Sequence, residues 1–114
     1  MMWPIHRMGK SRLKPFSKKM QLRMPEYYAL VEELRSKCNN RSELSGEQGD
    51  WRTSFSVEPH HICGRTGKRF LDPYNIIMLN RKEHDAQDSN NYQAKMKLLE
   101  YIRPIRAWQG YAIH

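Results

Sequence analysis

The chain has 114 residues, room for one domain with a modest core and not for a second. Its net charge of +8 and isoelectric point near 9.7 favour an anionic partner, nucleic acid being the commonest, with a merely solvated basic surface as the plainer alternative. No apolar run approaches bilayer length and the N-terminal stretch has no apolar signal core, so no membrane partner and a cytoplasmic location are expected, with Cys38 and Cys63 as reduced thiols.

Met1 to Pro25 carries seven basic residues, Lys14, Lys18 and Lys19 among them, and no acidic one. Residues 1–25 are therefore expected to be a flexible basic arm able to lie along a phosphate backbone. From Glu26 the pattern changes: Tyr27, Leu30, Val31 and Leu34 fall at helical spacing, predicting an amphipathic helix that ends near Cys38. Asn39 to Asp50 is polar and reads as a loop. Thr53 to Val57 alternates, with Phe55 and Val57 on one face, and predicts a strand leading into His60 and His61.

Gly64 and Gly67 suit a tight turn, and Asp72-Pro73 marks another. Asn75 to Leu79 reads as a second, more apolar strand, and a helix carrying His84 should begin near Arg81. A last helix, with Asn90 and Gln93 as a capping box and Tyr92, Met96, Leu99 and Ile102 as its stripe, is expected to end at Pro104. Trp3, Trp51 and Trp108 have the faces to stack on bases, although large aromatics more often serve a core or an interface. The segment Pro104 to His114, with Trp108 and Tyr111, is left to pack on the domain or on a second copy.

All interior histidines fall in one constellation: His60 and His61, then Asn75, then His84. Hydrolysing a phosphodiester needs an activated water and stabilisation of charge on the transition state and leaving oxygen. A divalent metal supplies the second as a Lewis acid, and a neutral imidazole can take the water's proton. Adjacent strand residues point to opposite sides, so one histidine of the pair can ligate while the other faces the phosphate.

The stretch from Glu58 to Asp88 resembles the HNH endonucleases. The resemblance implies an α+β fold with a ββα-metal core at about residues 53–90, set in a nuclease domain spanning 26–114 with flanking helices. It places His60 and His84 as metal ligands and His61 as general base. Asn75 takes the central asparagine position, which in the family steadies the finger loop or contributes to the metal environment. Where many relatives carry a further histidine, one helical turn after His84, this chain has Asp88. A carboxylate there would serve as a third ligand and favour Mg2+ or Mn2+, with Ni2+ or Zn2+ still open, and a water is the alternative in that place.

Phage-type relatives also carry two Cys-x-x-Cys knuckles. Here Ser42 and Ser45 stand at the first and Asn80 and Glu83 at the second, so no structural zinc is expected. Arg65, Lys68 and Arg69, between the strands, are candidates for holding phosphates. Glu58 shares a strand face with His60 and is placed for a hydrogen bond behind the metal ligands.

The leading expectation is thus a one-metal DNA endonuclease leaving 5′-phosphate and 3′-hydroxyl ends, monomeric or dimeric, with a phage or recombination protein as a further partner. The rival is a DNA-binding module on a degenerate finger that does not cut.

Overall fold

A computed structural model describes residues 18–48, 56–87 and 90–113. The first helix, α1, spans Lys18–Lys37 and so begins inside the expected arm rather than at Glu26. Pro25 cannot donate to the Gln21 carbonyl, but both residues are exposed, so water can satisfy that carbonyl and the helix continues. Tertiary links hold the early turns. Arg23 donates from Nη1 to the Gly67 carbonyl at 3.0 Å, and its guanidinium lies 5.3 Å from the centre of the Phe70 ring. Lys18 and Lys19 are therefore helical; Lys14 and Trp3 lie outside the described residues.

Strands β1 (Glu58–His61) and β2 (Ile76–Leu79) form one antiparallel pair, His60 opposite Ile77 and His61 opposite Ile76. This strand contains the histidines instead of leading into them, and Ser56 and Val57 of the expected strand precede it. Val57 leaves the ladder because side chains take its backbone: its N–H donates to Asn40 Oδ1, and Arg35 donates to its carbonyl. Thr53, Phe55 and Trp51 lie outside the described residues. Asn75 closes a short 3-10 turn, Pro73–Asn75, and β2 begins after it.

Every β2 side chain is buried, because both faces of the pair are covered. Ile76 and Met78 pack with Val31, Leu34 and Val57 under α1. Ile77 and Leu79 pack with Ile62, Leu98 and Ile102 under a long C-terminal helix. Each such side chain contributes roughly 1.5–3 kcal/mol of transfer free energy. The fold class is therefore mixed α and β, with a small sheet held between helices.

Two further helices follow β2. The short α2, Arg81–Asp85, opens on a capping box in which the Asn80 side chain accepts from the Glu83 N–H and Glu83 accepts from the Asn80 N–H. Ser42 donates to the same Glu83 carboxylate, and the Asn80 amide donates to Glu47. The positions matched to the two knuckles thus meet in space and are joined by hydrogen bonds. Burial pushes the Glu83 carboxyl up, but bonds from Ser42, Ser45 and the Asn80 backbone outweigh it and hold the group below the ordinary range.

The last helix, α3, spans Tyr92–Trp108 and is capped by Asn91, whose side chain accepts from the Ala94 N–H, rather than by an Asn90–Gln93 box. It does not stop at Pro104. Pro104 and the Glu100 beneath it are both exposed, so the missing bond can be made to water, while Ile102 and Arg106 anchor the turns on either side. Trp108 is 89% exposed, whereas Tyr111 folds back on α1, with its hydroxyl on Glu33 and Lys37 over its ring. Among the described residues no helix is long and apolar enough to cross a membrane.

Candidate functional site

The pleat of β1 separates the histidine pair. His60 shares its face with Ile77, toward α2 and α3, and His61 shares its face with Ile76, toward α1. On the first face the His84 ring stands edge-on to His60, with centres 5.2 Å apart and planes at 87°. Two imidazoles on one ion, each with a metal–nitrogen bond of about 2.1 Å, put their ring centres roughly 5 Å apart, so this pair fits a shared ion.

Burial, then the neighbouring His84 and His61, lower the His60 pKa to about 4. The ring is neutral at physiological pH, as a metal ligand must be. The pair needs no backbone strain; α2 begins where Asn80 caps it, and that cap sets where His84 falls.

His61 lies against an aromatic wall. Its ring stacks on Tyr27 at 5.6 Å and on Phe70 at 6.0 Å, and those two rings stack on each other at 4.5 Å. Its Nε2 is 3.3 Å from the Phe70 carbonyl. A carbonyl only accepts, so that contact places the neutral ring's hydrogen on Nε2 and leaves the Nδ1 lone pair as the acceptor. Burial lowers the His61 pKa, with the Phe70 carbonyl opposing it and the Arg65 charge adding to it. Tyr27, expected only as part of an apolar core stripe, is thus also a wall of the site. The sequence signal was its helical phase alone, which says nothing about a ring 34 positions away (61 − 27).

Asn75 is 4% exposed and touches backbone only. Its Oδ1 accepts from the Cys63 N–H at 2.8 Å, and its Nδ2 donates to the carbonyls of Gly64 and Arg69 at 2.9 and 3.0 Å. Both amide hydrogens are therefore used in stapling the connection between the strands. Asn75 thus steadies the loop, one of the two roles its motif position implies, and its side chain makes no contact with His60 or His84 among its hydrogen bonds. Gly64 makes the same loop possible by turning at φ 86°, a conformation that other residues rarely adopt.

Glu58 lies on the His60 face and reaches α2: its Oε1 accepts from Arg81 at 2.8 Å and lies 4.0 Å from His84 Nδ1. Its hydrogen-bonded partner is thus Arg81, and the histidine it approaches is His84. The three loop cations are deployed differently. Arg69 curls back to donate to the Cys63 carbonyl at 3.1 Å, Lys68 is exposed on the 3-10 turn Gly67–Leu71, and Arg65 is exposed on the side of His61.

Asp88 lies outside the described residues, and among those described no three His, Cys, Asp or Glu side chains are grouped closely enough to hold a metal ion. Among the described residues, His60 and His84 are therefore the two candidate ligands that the structure brings together. No family model, curated protein or solved structure matches the chain.

The neutral burial of His60 sets a pH dependence of stability. Its folded pKa of about 4 lies below the ordinary 6.5, so protons bind the unfolded chain more tightly. Stability from this group is complete above roughly pH 6.5 and declines as pH falls toward 4. The lowered pKa of His61 acts in the same direction, and that of Glu83 adds a loss at lower pH still. Melting temperature without added metal should therefore fall through this window, and His60→Asn should flatten the decline. A profile equally steep in the variant would show that His60 is not its source.

Proposed function

We propose that the chain is a divalent-metal-dependent DNA endonuclease built on a ββα-metal finger of the HNH kind. The observation that carries this reading is the division of labour along β1. His60 meets His84 on one face, while His61, one residue on, keeps an Nδ1 lone pair on the other. β1, β2 and α2 supply the two strands and the helix of the finger.

His61 is the general base that takes a proton from the attacking water at Nδ1, while its Nε2–H stays on the Phe70 carbonyl. His60 and His84 hold the metal, with Asp88 proposed as a third ligand and Mg2+ or Mn2+ as the favoured ion. When bound, the ion supplies Lewis-acid stabilisation of the charge that builds on phosphate and leaving oxygen. Asn75 fixes the loop that presents Arg65 and Lys68 to the backbone, and Glu58 steadies His84. The basic charge and the phosphate-holding positions favour DNA with low intrinsic sequence preference, since phosphate contacts position without specifying.

Plasmid incubated with the purified chain and Mg2+, Mn2+ or Ni2+ should be nicked or linearised, and EDTA should stop it. DNA binding without cleavage under every metal would instead establish the non-cutting module.

A further inference from the structure

The turns of α1 before Tyr27 wall a cleft that shares Arg65 with the loop described above and adds residues of α1 that the chemistry does not use. Lys19, Arg23 and Tyr27 recur every four residues, so they share one face of the helix. Lys19, Met20 and Arg23 line one side of the cleft, and Arg65, Thr66 and Gly67 of the loop after β1 line the other, around a volume of about 480 Å³. Three of these six residues are cationic and none is acidic. Arg23 is already oriented, because Phe70 supports its guanidinium and the Gly67 carbonyl accepts from Nη1. A guanidinium has further N–H donors in the same plane, and phosphate oxygens are their natural acceptors.

The cleft adjoins His61 through shared parts. Phe70 under Arg23 also stacks on Tyr27 and accepts from His61 through its carbonyl. With a helical rise of 1.5 Å per residue, Lys19 lies about 12 Å along α1 from Tyr27. That span brings the cleft within reach of phosphates flanking the one at His61.

We propose that this cleft is a second phosphate subsite, in which Lys19, Arg23 and Arg65 hold a segment of DNA backbone flanking the scissile phosphate. The nuclease reading supplies which phosphate is scissile; the subsite itself requires only a polynucleotide.

The test is anisotropy of a labelled duplex in EDTA across a salt series, so that binding is read without cleavage. Lys19→Gln/Arg65→Gln leaves Arg23 and its contacts with Gly67 and Phe70 in place. It should weaken binding at least about fivefold and reduce the slope of log affinity against log salt by about one to two. Lys97→Gln/Arg103→Gln removes the same charge from α3 and should stay within about twofold of the parent. Equal weakening by both pairs, no change in the cleft pair, or no binding of DNA by the parent would overturn the subsite. Plasmid cleavage by the parent is scored separately. A chain that binds through the cleft but never cuts sinks only the nuclease reading, and one that cuts while the cleft pair binds normally sinks only the subsite.

Discussion

His61→Ala is expected to lower metal-dependent DNA cleavage by about 10²-fold to 10⁴-fold, the range a positioned general base contributes, while duplex affinity stays close to that of the parent. The expectation comes from how His61 is held. Two aromatic rings and one carbonyl define its plane and tautomer, and burial lowers its pKa, so the imidazole is neutral and directed before any substrate arrives. Alanine removes the proton acceptor but leaves β1 paired to β2 through the backbone, and it leaves the cations of the loop and of α1 untouched. Cleavage and binding therefore separate. His84→Ala provides the complementary case, since it should abolish the gain in melting temperature on adding Mn2+ or Ni2+, which His61→Ala should keep. Activity of His61→Ala within a few fold of the parent, or a parallel collapse of DNA binding, would remove His61 from the role of base.

The largest effect on stability is expected at a pair far from the histidines. Arg106 and Glu43 form a buried two-pronged ion pair at 2.6 Å, with side chains 0% and 3% exposed. Arg106 also donates to the carbonyls of Pro73 and Ile76 at 2.9 and 2.8 Å. Glu43 accepts from the Met78 N–H, and its own N–H donates to the Met78 carbonyl. The pair thus satisfies the outer edge of β2, ties α3 to the turn before that strand, and gives both oxygens of the carboxylate a protein donor. Glu43→Gln strands a buried guanidinium without its counter-charge, which costs about 3–5 kcal/mol. For a domain of this size that lowers the melting temperature by at least about 10 °C. Glu43→Leu/Arg106→Met should recover part of the loss, because two apolar groups avoid the desolvation of an unpaired charge. Thermal unfolding followed by circular dichroism measures both. A shift below about 1 kcal/mol for Glu43→Gln would mean the pair is not what holds α3 to the sheet, since an exposed ion pair contributes no more than that.

The two predictions divide along a line that runs through the whole molecule. What recurs locally was legible in the chain. The helical phase of Tyr27, Leu30, Val31 and Leu34 marked α1, the apolar run to Leu79 marked β2, and His84 falls on the short helix expected near Arg81. The alternation of a strand separated His60 from His61 without any tertiary information, because neighbouring side chains on β1 must leave opposite faces.

Elements failed where a neighbour distant in sequence decided them. Pro25 and Pro104 marked expected ends, yet both helices run through them, since each ring sits on an exposed face and packing elsewhere carries the helix on. Val57 lost its place in the strand to side chains of Arg35 and Asn40. Asn75 had a motif position with two roles open, and only the three loop groups its amide meets decide for the loop.

By itself the sequence singled out the candidate residues and placed them near one two-stranded unit, because residue type and period are local properties. Only the tertiary structure decided that Tyr27 backs His61, that Ser42 and Glu83 clasp where knuckle thiols would stand, and that Glu43 and Arg106 neutralise each other. Those pairings join positions whose separation along the chain no periodicity encodes, and they are fixed by which faces the buried β2 strand offers to the helices on either side.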